Sequence, residues 1–356
     1  MARTRRSHGD GNSSGSGRTK EVQGGARRGP GADRCDHEGL SPDRRAKRFS
    51  PRTLLHRIDG IYVPMQTPVA ARERRFAIYL FLPAFLVLLV TTTVPLIYLA
   101  WTSVNRVDLT SPWIKGFAGA DNYSKMLGDP RFWNSLELTV IYTGTTVVLQ
   151  MLIGLGLALL VLQIPRGQGI LRVAAIIPIV LAPVVVGLFW RTLVLAPDFG
   201  VLDFVMRALG FGSHDWLGDP NLALASVIVI HTWQWTPFAF LVILASLSSL
   251  PPDIFEAARI DRASSVQRFW YITLPLIRPA LVIVVIMRMM VALSAFAAIF
   301  AATGGGPGSA TEILNLYTYR TSFTELNFGY GAALAMVLLA VTLLVSYSMF
   351  RLRTAR

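Results

Sequence analysis

Six blocks of apolar residues, separated by shorter polar stretches, dominate the pattern of this 356-residue chain. Each block is about 20 residues or longer, the length that a helix needs to cross roughly 30 Å of hydrocarbon. Backbone polar groups inside lipid must pair within their own segment, so the blocks predict helices rather than open strands. The predicted fold class is all-α: a polytopic membrane protein with six transmembrane helices. The predicted spans are 76–102, 137–162, 170–191, 222–247, 279–302 and 331–350.

Composition supports a membrane protein. Apolar residues make up 53% of the chain and charged residues 15%, whereas about a quarter of the residues of a typical soluble domain are charged. The mean hydropathy is +0.48. A soluble globular protein of this length is therefore not expected.

Lys and Arg are distributed unevenly about the predicted spans. Residues 1–75 hold 17 basic and 8 acidic side chains, and the whole chain has a net charge of +13. Placing the N-terminus in the cytoplasm leaves 26 basic residues inside and 7 outside, as the positive-inside rule expects. Six spans return both termini to the cytoplasm, so we expect a multi-pass protein of the cell membrane. The polar insert 248–278 then also faces the cytoplasm.

The chain divides into three predicted regions. Residues 1–75 are rich in Gly, Ser and charge, which predicts a disordered basic cytoplasmic tail before a transmembrane domain over 76–350 and a short cytoplasmic C-terminus over 351–356. The basic run 44–48 can bind nucleic acid or anionic lipid, but we favour a leader that only sets topology, with no nucleic-acid partner. Translation from Met65 is an alternative start.

The insert 248–278 is a charged segment between two apolar blocks. Two consecutive Pro residues end the preceding helix. Asp253 is placed to cap a new helix, with Glu256 at the N3 position of a capping box. Ser264 and Gln267 repeat the spacing, so a second short helix is expected. The insert predicts a helical element held at the membrane surface for a partner to bind.

Residues typical of catalysis or metal binding are scarce. The one cysteine, Cys35, lies in the tail, and no Cys/His cluster has zinc-ligand spacing. None of the four Lys residues completes a Walker A loop. The predicted spans contain no pair of acids or Ser/His pair suited to an intramembrane enzyme. We predict a non-enzyme with no cofactor or metal, and any ATP hydrolysis must occur on a separate chain.

The insert resembles the EAA loop of binding-protein-dependent ABC importer permeases, whose pattern is E-A-A-x-x-D-G-A followed by I-x-L-P. The matching residues are Glu256, Ala257, Ala258, Asp261, Ala263 and 272–275. Arg262 stands where the family usually has Gly, a residue that would ease a turn between the two short helices. The resemblance implies the type I ABC importer permease fold, with a core domain at about 135–350.

Three further segments resemble the carbohydrate-type permeases related to maltose and glycerol-phosphate permeases. They are 119–136, the stretch from Pro178 to Gly187, and the run 303–308 followed by Thr311, Glu312 and Tyr317. The resemblance implies a permease subunit that translocates a sugar or sugar derivative. A permease for a non-sugar solute, such as a polyol phosphate or a peptide, is the alternative.

The resemblance also implies partners. These are a cytoplasmic ABC ATPase dimer, a second permease subunit that usually makes a heterodimer, an extracellular solute-binding lipoprotein, and the lipid bilayer. The residues implied in ATPase coupling are Glu256, Ala257, Ala258, Asp261, Arg262 and Ala263. The alternative for this segment is an amphipathic helix lying on lipid, with Ile254, Phe255 and Phe269 as its apolar side.

Substrate-path residues follow from the same resemblance, counted from Glu256. They are His231, Gln234, Trp235, Phe238 and Arg288. Aromatic faces can cover the apolar patches of a sugar while amide and imidazole groups bond its hydroxyls. Ordinary helix packing is the alternative for the aromatic residues. Arg288, an intramembrane cation, either lines the path or makes a structural bond with the partner permease.

Overall fold

The computed structural model is mostly helical, which confirms the predicted fold class. It describes the backbone of residues 55–58, 61–64, 68–111, 113, 116–164 and 166–354, with side chains over 76–349 and at 351 within these ranges. The predicted tail therefore lies largely outside the described residues.

Two short strands precede the first long helix. β1 (Leu55–Ile58) and β2 (Ile61–Pro64) pair in antiparallel register, with Leu55 opposite Pro64. The first helix, α1 (Pro68–Ser103), begins before the predicted start of the first span. The sequence predicts a disordered tail over residues 1–75. Within it, the described residues form this strand pair and the first turns of α1.

The rest of the described chain is built from one more strand pair and twelve further helices. In order they are β3 (Asn105–Arg106), β4 (Gly116–Phe117), α2 (Asp121–Leu127), α3 (Pro130–Leu162), α4 (Gln168–Val180), α5 (Pro183–Phe189), α6 (Val201–Ala208), α7 (Pro220–Ser248), α8 (Pro252–Ile260), α9 (Ser265–Arg268), α10 (Leu274–Leu293), α11 (Ala297–Ala302), α12 (Leu314–Tyr319) and α13 (Phe328–Thr354). The π-helical turns Trp190–Val194, Phe269–Thr273 and Arg320–Thr324 continue α5, α9 and α12.

Five helical runs in the described residues are long and apolar enough to cross a membrane unaided. They are Phe76–Ser103, Pro130–Leu162, Pro220–Ser248, Ser265–Leu293 and Phe328–Met349. α4 and α5 with its π-turn make a sixth span when they are taken together, although they are bent by 94°. Connections at one end of the bundle carry α8, and those at the other carry α2; we call these the α8 end and the α2 end.

The third predicted span, 170–191, is present as a bent pair of helices and not as one continuous helix. Leu181 and Ala182 are extended, with ψ angles of 134° and 133°, between the end of α4 and the start of α5. Pro183 occupies the first turn of α5, where its missing N–H is not needed. The residue before a proline is pushed out of the helical region, which is why the break falls at Ala182.

The predicted fifth span over 279–302 is wrong in its bounds. The membrane-crossing run extends from Ser265 to Leu293, because Pro275 lies in the first turn of α10 and does not interrupt it. The helix then breaks at Ser294 and resumes as the separate short α11 after Phe296, whose backbone is not helical (φ −150°, ψ −61°).

Small residues let the central helices approach closely. A Cβ placed on Gly154 of α3 would lie 3.0 Å from the Ala239 Cβ of α7. A Cβ on Gly187 of α5 would lie 2.5 Å from the Ala298 carbonyl oxygen of α11. Small residues at such contacts are typical of helix packing in membranes, where lipid supplies no hydrophobic drive between helices. The short helices α5 and α11 thus pack directly on each other.

α1 makes few contacts with the remaining spans. None of its most apolar window, within Phe76–Ser103, is buried, and large side chains such as Phe81 and Leu88 are exposed around it. A helix that is apolar on all sides is suited to lipid or to another membrane helix.

Candidate functional site

α8 lies in the connection between α7 and α9, as the sequence predicts. It starts at Pro252, with Pro251 as the N-cap residue, and Ala258 is its one buried residue. The predicted cap at Asp253 is wrong, because Asp253 lies inside the first turn and no side chain caps this end. Pro at the first helical position removes one of the N–H groups that a cap would satisfy. Glu256 is exposed on α8 and is free to meet a partner rather than to close a capping box.

A Schellman motif ends α8. The N–H of Ala263 bonds the Ala258 carbonyl at 3.0 Å, and the N–H of Arg262 bonds the Arg259 carbonyl at 3.0 Å. Arg262 has a φ of +56°, the left-handed conformation that such a motif requires and that Gly adopts without strain. The backbone path is therefore the one a Gly would allow, and Arg262 is held in it.

The second short helix has the capping box predicted for it. The Ser264 Oγ accepts from the Gln267 N–H at 3.2 Å, and the Gln267 side chain accepts from the Ser264 N–H at 2.8 Å. α9 continues without interruption into the span that contains α10. A largely apolar cavity of about 840 Å³ lies between α8, α9 and the adjoining ends of α3 and α7.

A second cavity, of about 470 Å³, lies at the two helix breaks. Its wall combines residues beside the α4–α5 break with residues beside the α10–α11 break and with α7. The lining residues are Pro183, His231, Gln234, Trp235, Met290, Val291, Ser294, Ala295, Phe296, Ala297 and Ala298. Irregular backbone at membrane depth is tolerated where protein buries it or where it lines a cavity, and residues of both breaks line this cavity.

Two side-chain amides satisfy the carbonyls that the breaks leave without helical partners. Gln234 Nε2 donates to the Leu181 oxygen at 3.0 Å. Asn315 Nδ2 donates to the oxygens of Ser294 and Ala295 at 3.3 and 3.2 Å. A carbonyl that lacks a partner away from water costs roughly 1–3 kcal/mol, and the Gln234 bond to Leu181 is partly buried, so it stabilises the first break.

Arg288 lies behind the cavity in a buried polar network. Its Nε donates to Gln150 Oε1 at 2.8 Å, its Nη2 lies 3.0 Å from His231 Nε2, and its guanidinium stacks 4.5 Å from the Trp235 ring centre. The Tyr142 hydroxyl lies 2.6 Å from His231 Nδ1. Arg288 is 1% exposed and is not among the cavity-lining residues.

The donors in this network fix the tautomer of His231. A guanidinium can only donate, so the His231 Nε2 facing Arg288 must accept. The imidazole is then neutral with its proton on Nδ1, which donates to the Tyr142 oxygen. No carboxylate takes part in this described network; hydrogen bonds and the Trp235 ring face surround the cation.

The predicted path residues thus separate into three groups. His231, Gln234 and Trp235 line the cavity. Arg288 bonds to His231 and stacks on Trp235 from behind the wall, and Phe238 packs against the core cluster that includes Ile243 of α7. The sequence analysis did not single out Tyr142 or Gln150. The signal that could have found Gln150 is its position as a polar residue inside an apolar block.

At the α2 end, Arg131 joins three elements. It forms a two-pronged pair with Glu312, with bonds of 2.7 and 2.8 Å, and it reaches Glu325 at 2.7 Å. Arg320 adds a bond of 2.8 Å to Glu312, whose side chain is fully buried. Burial alone would raise the pKa of Glu312, but the hydrogen bonds from Arg131 and Arg320 outweigh it and hold that pKa below its usual value.

Asp129 fastens the start of α3 to α12 and α13. It caps α3 by accepting from the Arg131 N–H at 2.9 Å, and it accepts from the hydroxyls of Tyr317 and Tyr330. Burial opposes ionisation of Asp129, but these bonds lower its pKa below the usual value. The loops at this end therefore form one bonded unit.

The chain is similar in sequence to known proteins. Residues 150–355 match the family of binding-protein-dependent transport system inner membrane components. The chain is 35% identical to the sulfoquinovosyl glycerol transport system permease protein SmoG of Agrobacterium fabrum, over 83% of this chain and 96% of that protein. It is 34% identical to the trehalose/maltose transport system permease protein MalF of Thermococcus litoralis, over 80% of this chain and 95% of that protein.

A solved structure shares the fold. A chain from the crystal structure of a bacterial ABC transporter involved in import of the acidic polysaccharide alginate superposes with a TM-score of 0.69. The match has 20% identity and covers 80% of this chain and 97% of that chain. The resemblance seen in the sequence motifs is confirmed. The chain belongs to the family of binding-protein-dependent transport system inner membrane components.

Proposed function

We propose that this chain is a permease subunit of an ATP-driven importer and carries a sugar or sugar derivative across the cell membrane. The observation that carries the proposal is the cavity at the two helix breaks, which lies within the membrane-spanning bundle of a chain of this family. Binding sites near the bilayer midplane, formed by discontinuous helices, are the common architecture of transporters.

ATP-driven motion is coupled to the spans through α8, whose one buried residue is Ala258. The Schellman motif and the capping box fix the turn between α8 and α9, and α9 is continuous with the span that contains α10. A displacement of α8 therefore moves α10 as well. This helix carries Arg288 and ends at the cavity residue Ser294. We place α8 against a separate ABC ATPase, at the cytoplasmic face.

Charge reversal tests this contact. Glu256→Lys with Asp261→Lys should greatly reduce co-purification of the ATPase and ATP-dependent uptake, while membrane insertion stays normal. Glu137→Lys is the matched control, because Glu137 is also an exposed carboxylate but lies on α3 near the α2 end. Unchanged co-purification and uptake in the double variant would refute the assignment of α8.

The cavity suits a hydroxyl-rich solute. Trp235 and Phe296 offer ring surfaces, while Gln234 and Ser294 add polar groups to the wall. The Gln234 Oε1 lies at this wall, buried and without a partner among the described residues. Sugars are recognised by this combination of apolar faces and polar groups.

The names of the relatives favour the same class of solute. Two matched permeases are named for sulfoquinovosyl glycerol and for trehalose/maltose, and a third, 34% identical, for sn-glycerol-3-phosphate. The cation behind the cavity, Arg288, already has partners on its Nε and Nη2. We therefore assign Arg288 to the support of the cavity wall rather than to the binding of an anionic group of the solute.

Uptake by intact cells tests the substrate class. Cells lacking this gene, with and without a restored copy, are supplied with labelled trehalose, maltose, sn-glycerol 3-phosphate and an amino acid. Restored uptake of a neutral sugar supports the proposal. Restored uptake of only the phosphate ester or the amino acid refutes the sugar assignment. An Arg288→Gln variant then shows whether this cation affects selectivity or only assembly.

The remaining partners follow from the same proposal. A second permease subunit would complete the central path as a heterodimer. An extracellular solute-binding lipoprotein would deliver the substrate at the α2 end, where the bonded loops around Arg131 and Glu312 offer a firm surface. Both termini would then lie in the cytoplasm.

A further inference from the structure

α6 has the opposite arrangement to a helix at a water surface: its apolar residues are exposed and its acid is buried. Phe204 and Val201 are 70% and 62% exposed, whereas the Asp203 side chain is fully buried. Leu209, just after the helix, is also exposed. At 100° per residue Val201 and Phe204 lie about 60° apart, so these two share one face.

Hydrogen bonds prevent α6 from turning this face inward. The Asp203 carboxylate accepts from the Ser213 hydroxyl at 2.9 Å and from the His214 N–H at 3.0 Å, and it pairs with Arg207 at 2.9 Å. Leu202, the residue before Asp203, packs against the core cluster that contains Leu195. The orientation of α6 is thus set by its buried side.

Two Phe residues extend the exposed face beyond the helix. Phe199 and Phe211, on either side of α6, are 75% and 67% exposed. The two charged residues of α6, Asp203 and Arg207, pair with each other on the other side. Large apolar side chains exposed in this number are unfavourable in water, at about 25 cal/mol for each Å² exposed.

The position of α6 in the chain identifies what covers this patch. The segment that contains it joins Val194, the end of one membrane-crossing element, to Pro220, the start of the next, at the α2 end. The apolar surface therefore continues that of the lipid-facing spans at the level where they leave the bilayer. A surface that binds and releases a soluble protein is expected to have a polar rim around its apolar centre.

We propose that α6, with Phe199 and Phe211, lies in the headgroup–acyl boundary of the bilayer as an interfacial helix. Helices of this kind lie in the membrane plane with their apolar face buried about 5–10 Å deep. The Asp203 bonds hold the helix at a fixed angle to the spans, so α6 anchors the connection between α5 and α7 to the membrane surface.

Site-directed spin labelling tests the proposal on the full-length chain, purified in its transport complex and reconstituted in phosphatidylcholine–phosphatidylglycerol vesicles. In a Cys35→Ser background, a nitroxide is attached at Phe204→Cys or, as a second site, at Val201→Cys. Leu86→Cys on exposed α1 serves as the lipid control and Ser124→Cys on α2 as the aqueous control. Collision rates with oxygen and with a water-soluble nickel chelate are measured.

Lipid contact predicts frequent oxygen collisions and few chelate collisions at Phe204, as at Leu86. Chelate collisions as frequent as those at Ser124 would overturn the proposal, because α6 would then face water. Few collisions with either reagent, together with an immobilised spectrum, would also overturn it, because a protein partner would then cover the patch. Agreement between the two labelled sites excludes an effect of a single substitution.

Discussion

Gln234 on α7 donates a hydrogen bond of 3.0 Å to the Leu181 carbonyl oxygen, at the point where the third span bends by 94°. The same amide lines the cavity, and its Oε1 is buried without a partner among the described residues. One side chain therefore stabilises the break and forms part of the cavity wall. Asn315 stabilises the other break through Ser294.

Replacing Gln234 by Leu should destabilise the protein by about 1–3 kcal/mol, because the Leu181 carbonyl loses its donor in an apolar setting. Thermal unfolding of the purified protein in detergent measures the effect. Gln163→Leu is the control, since Gln163 is exposed at the end of α3 and its side chain makes no hydrogen bond among the described residues. Equal unfolding temperatures for the two variants would contradict the role assigned to Gln234.

The difference between the predicted and observed spans has a physical cause. Hydropathy locates the stretches that are apolar, and it placed the second, fourth and sixth spans within several residues of α3, α7 and α13. It does not report a helix break whose carbonyls are satisfied from elsewhere in the chain. Gln234 is 53 residues from Leu181, so the sequence near Leu181 carries no sign of its partner.

Local signals were better predictors of the α8–α9 connection. The capping box of Ser264 and Gln267 depends on residues three apart, and it forms as predicted. The box at Asp253 fails because Pro252, rather than a cap, starts α8. In the cavity, the resemblance supplied His231, but its partner Tyr142 lies 89 residues away and carries no motif.

These two caps give a direct comparison. Ser264→Ala should weaken α9 by about 1 kcal/mol, because the Gln267 N–H loses its acceptor. Asp253→Ala should change stability little, because the Asp253 side chain caps nothing. Hydrogen exchange of the α8–α9 segment measures both. Faster exchange in the Asp253 variant than in the Ser264 variant would reverse the assignment of the caps.

Arg262→Gly should stabilise the turn by about 1 kcal/mol, because Gly adopts a positive φ without the steric cost that a Cβ imposes. Arg262→Ala is the matched control, since it removes the charge and keeps the Cβ. Limited proteolysis within the loop measures the effect. A stabilised Ala variant equal to the Gly variant would show that charge, and not backbone conformation, governs this position.

Acid should weaken the α2 end. The pKa values of Asp129 and Glu312 lie below their ordinary values of 3.8 and 4.5, because hydrogen bonds favour the charged forms over the opposing effect of burial. Their stabilising contribution is therefore complete above the ordinary values, and it is lost as pH falls through the lowered ones. Unfolding temperatures measured from about pH 6 to about pH 3 should fall in this window.

A variant without the Glu312 carboxylate identifies the source of this slope. Glu312→Gln should be less stable at neutral pH and should lose less on acidification, because it has one proton fewer to bind. Glu137→Gln, at an exposed carboxylate, should follow the wild type. An acid response in Glu312→Gln as steep as that of the wild type would assign the effect to other groups.

The contact between α5 and α11 depends on Gly187. A Cβ there would lie 2.5 Å from the Ala298 carbonyl oxygen and 2.9 Å from the Ala301 Cβ, so α5 and α11 would have to separate. Gly187→Ala should therefore destabilise the protein by about 1–3 kcal/mol and reduce uptake, because both helices form the cavity wall. Gly144→Ala on α3 has open space around its added Cβ and should be neutral or slightly stabilising. Unfolding temperatures that rise equally in both variants would show that α5 and α11 do not pack this closely.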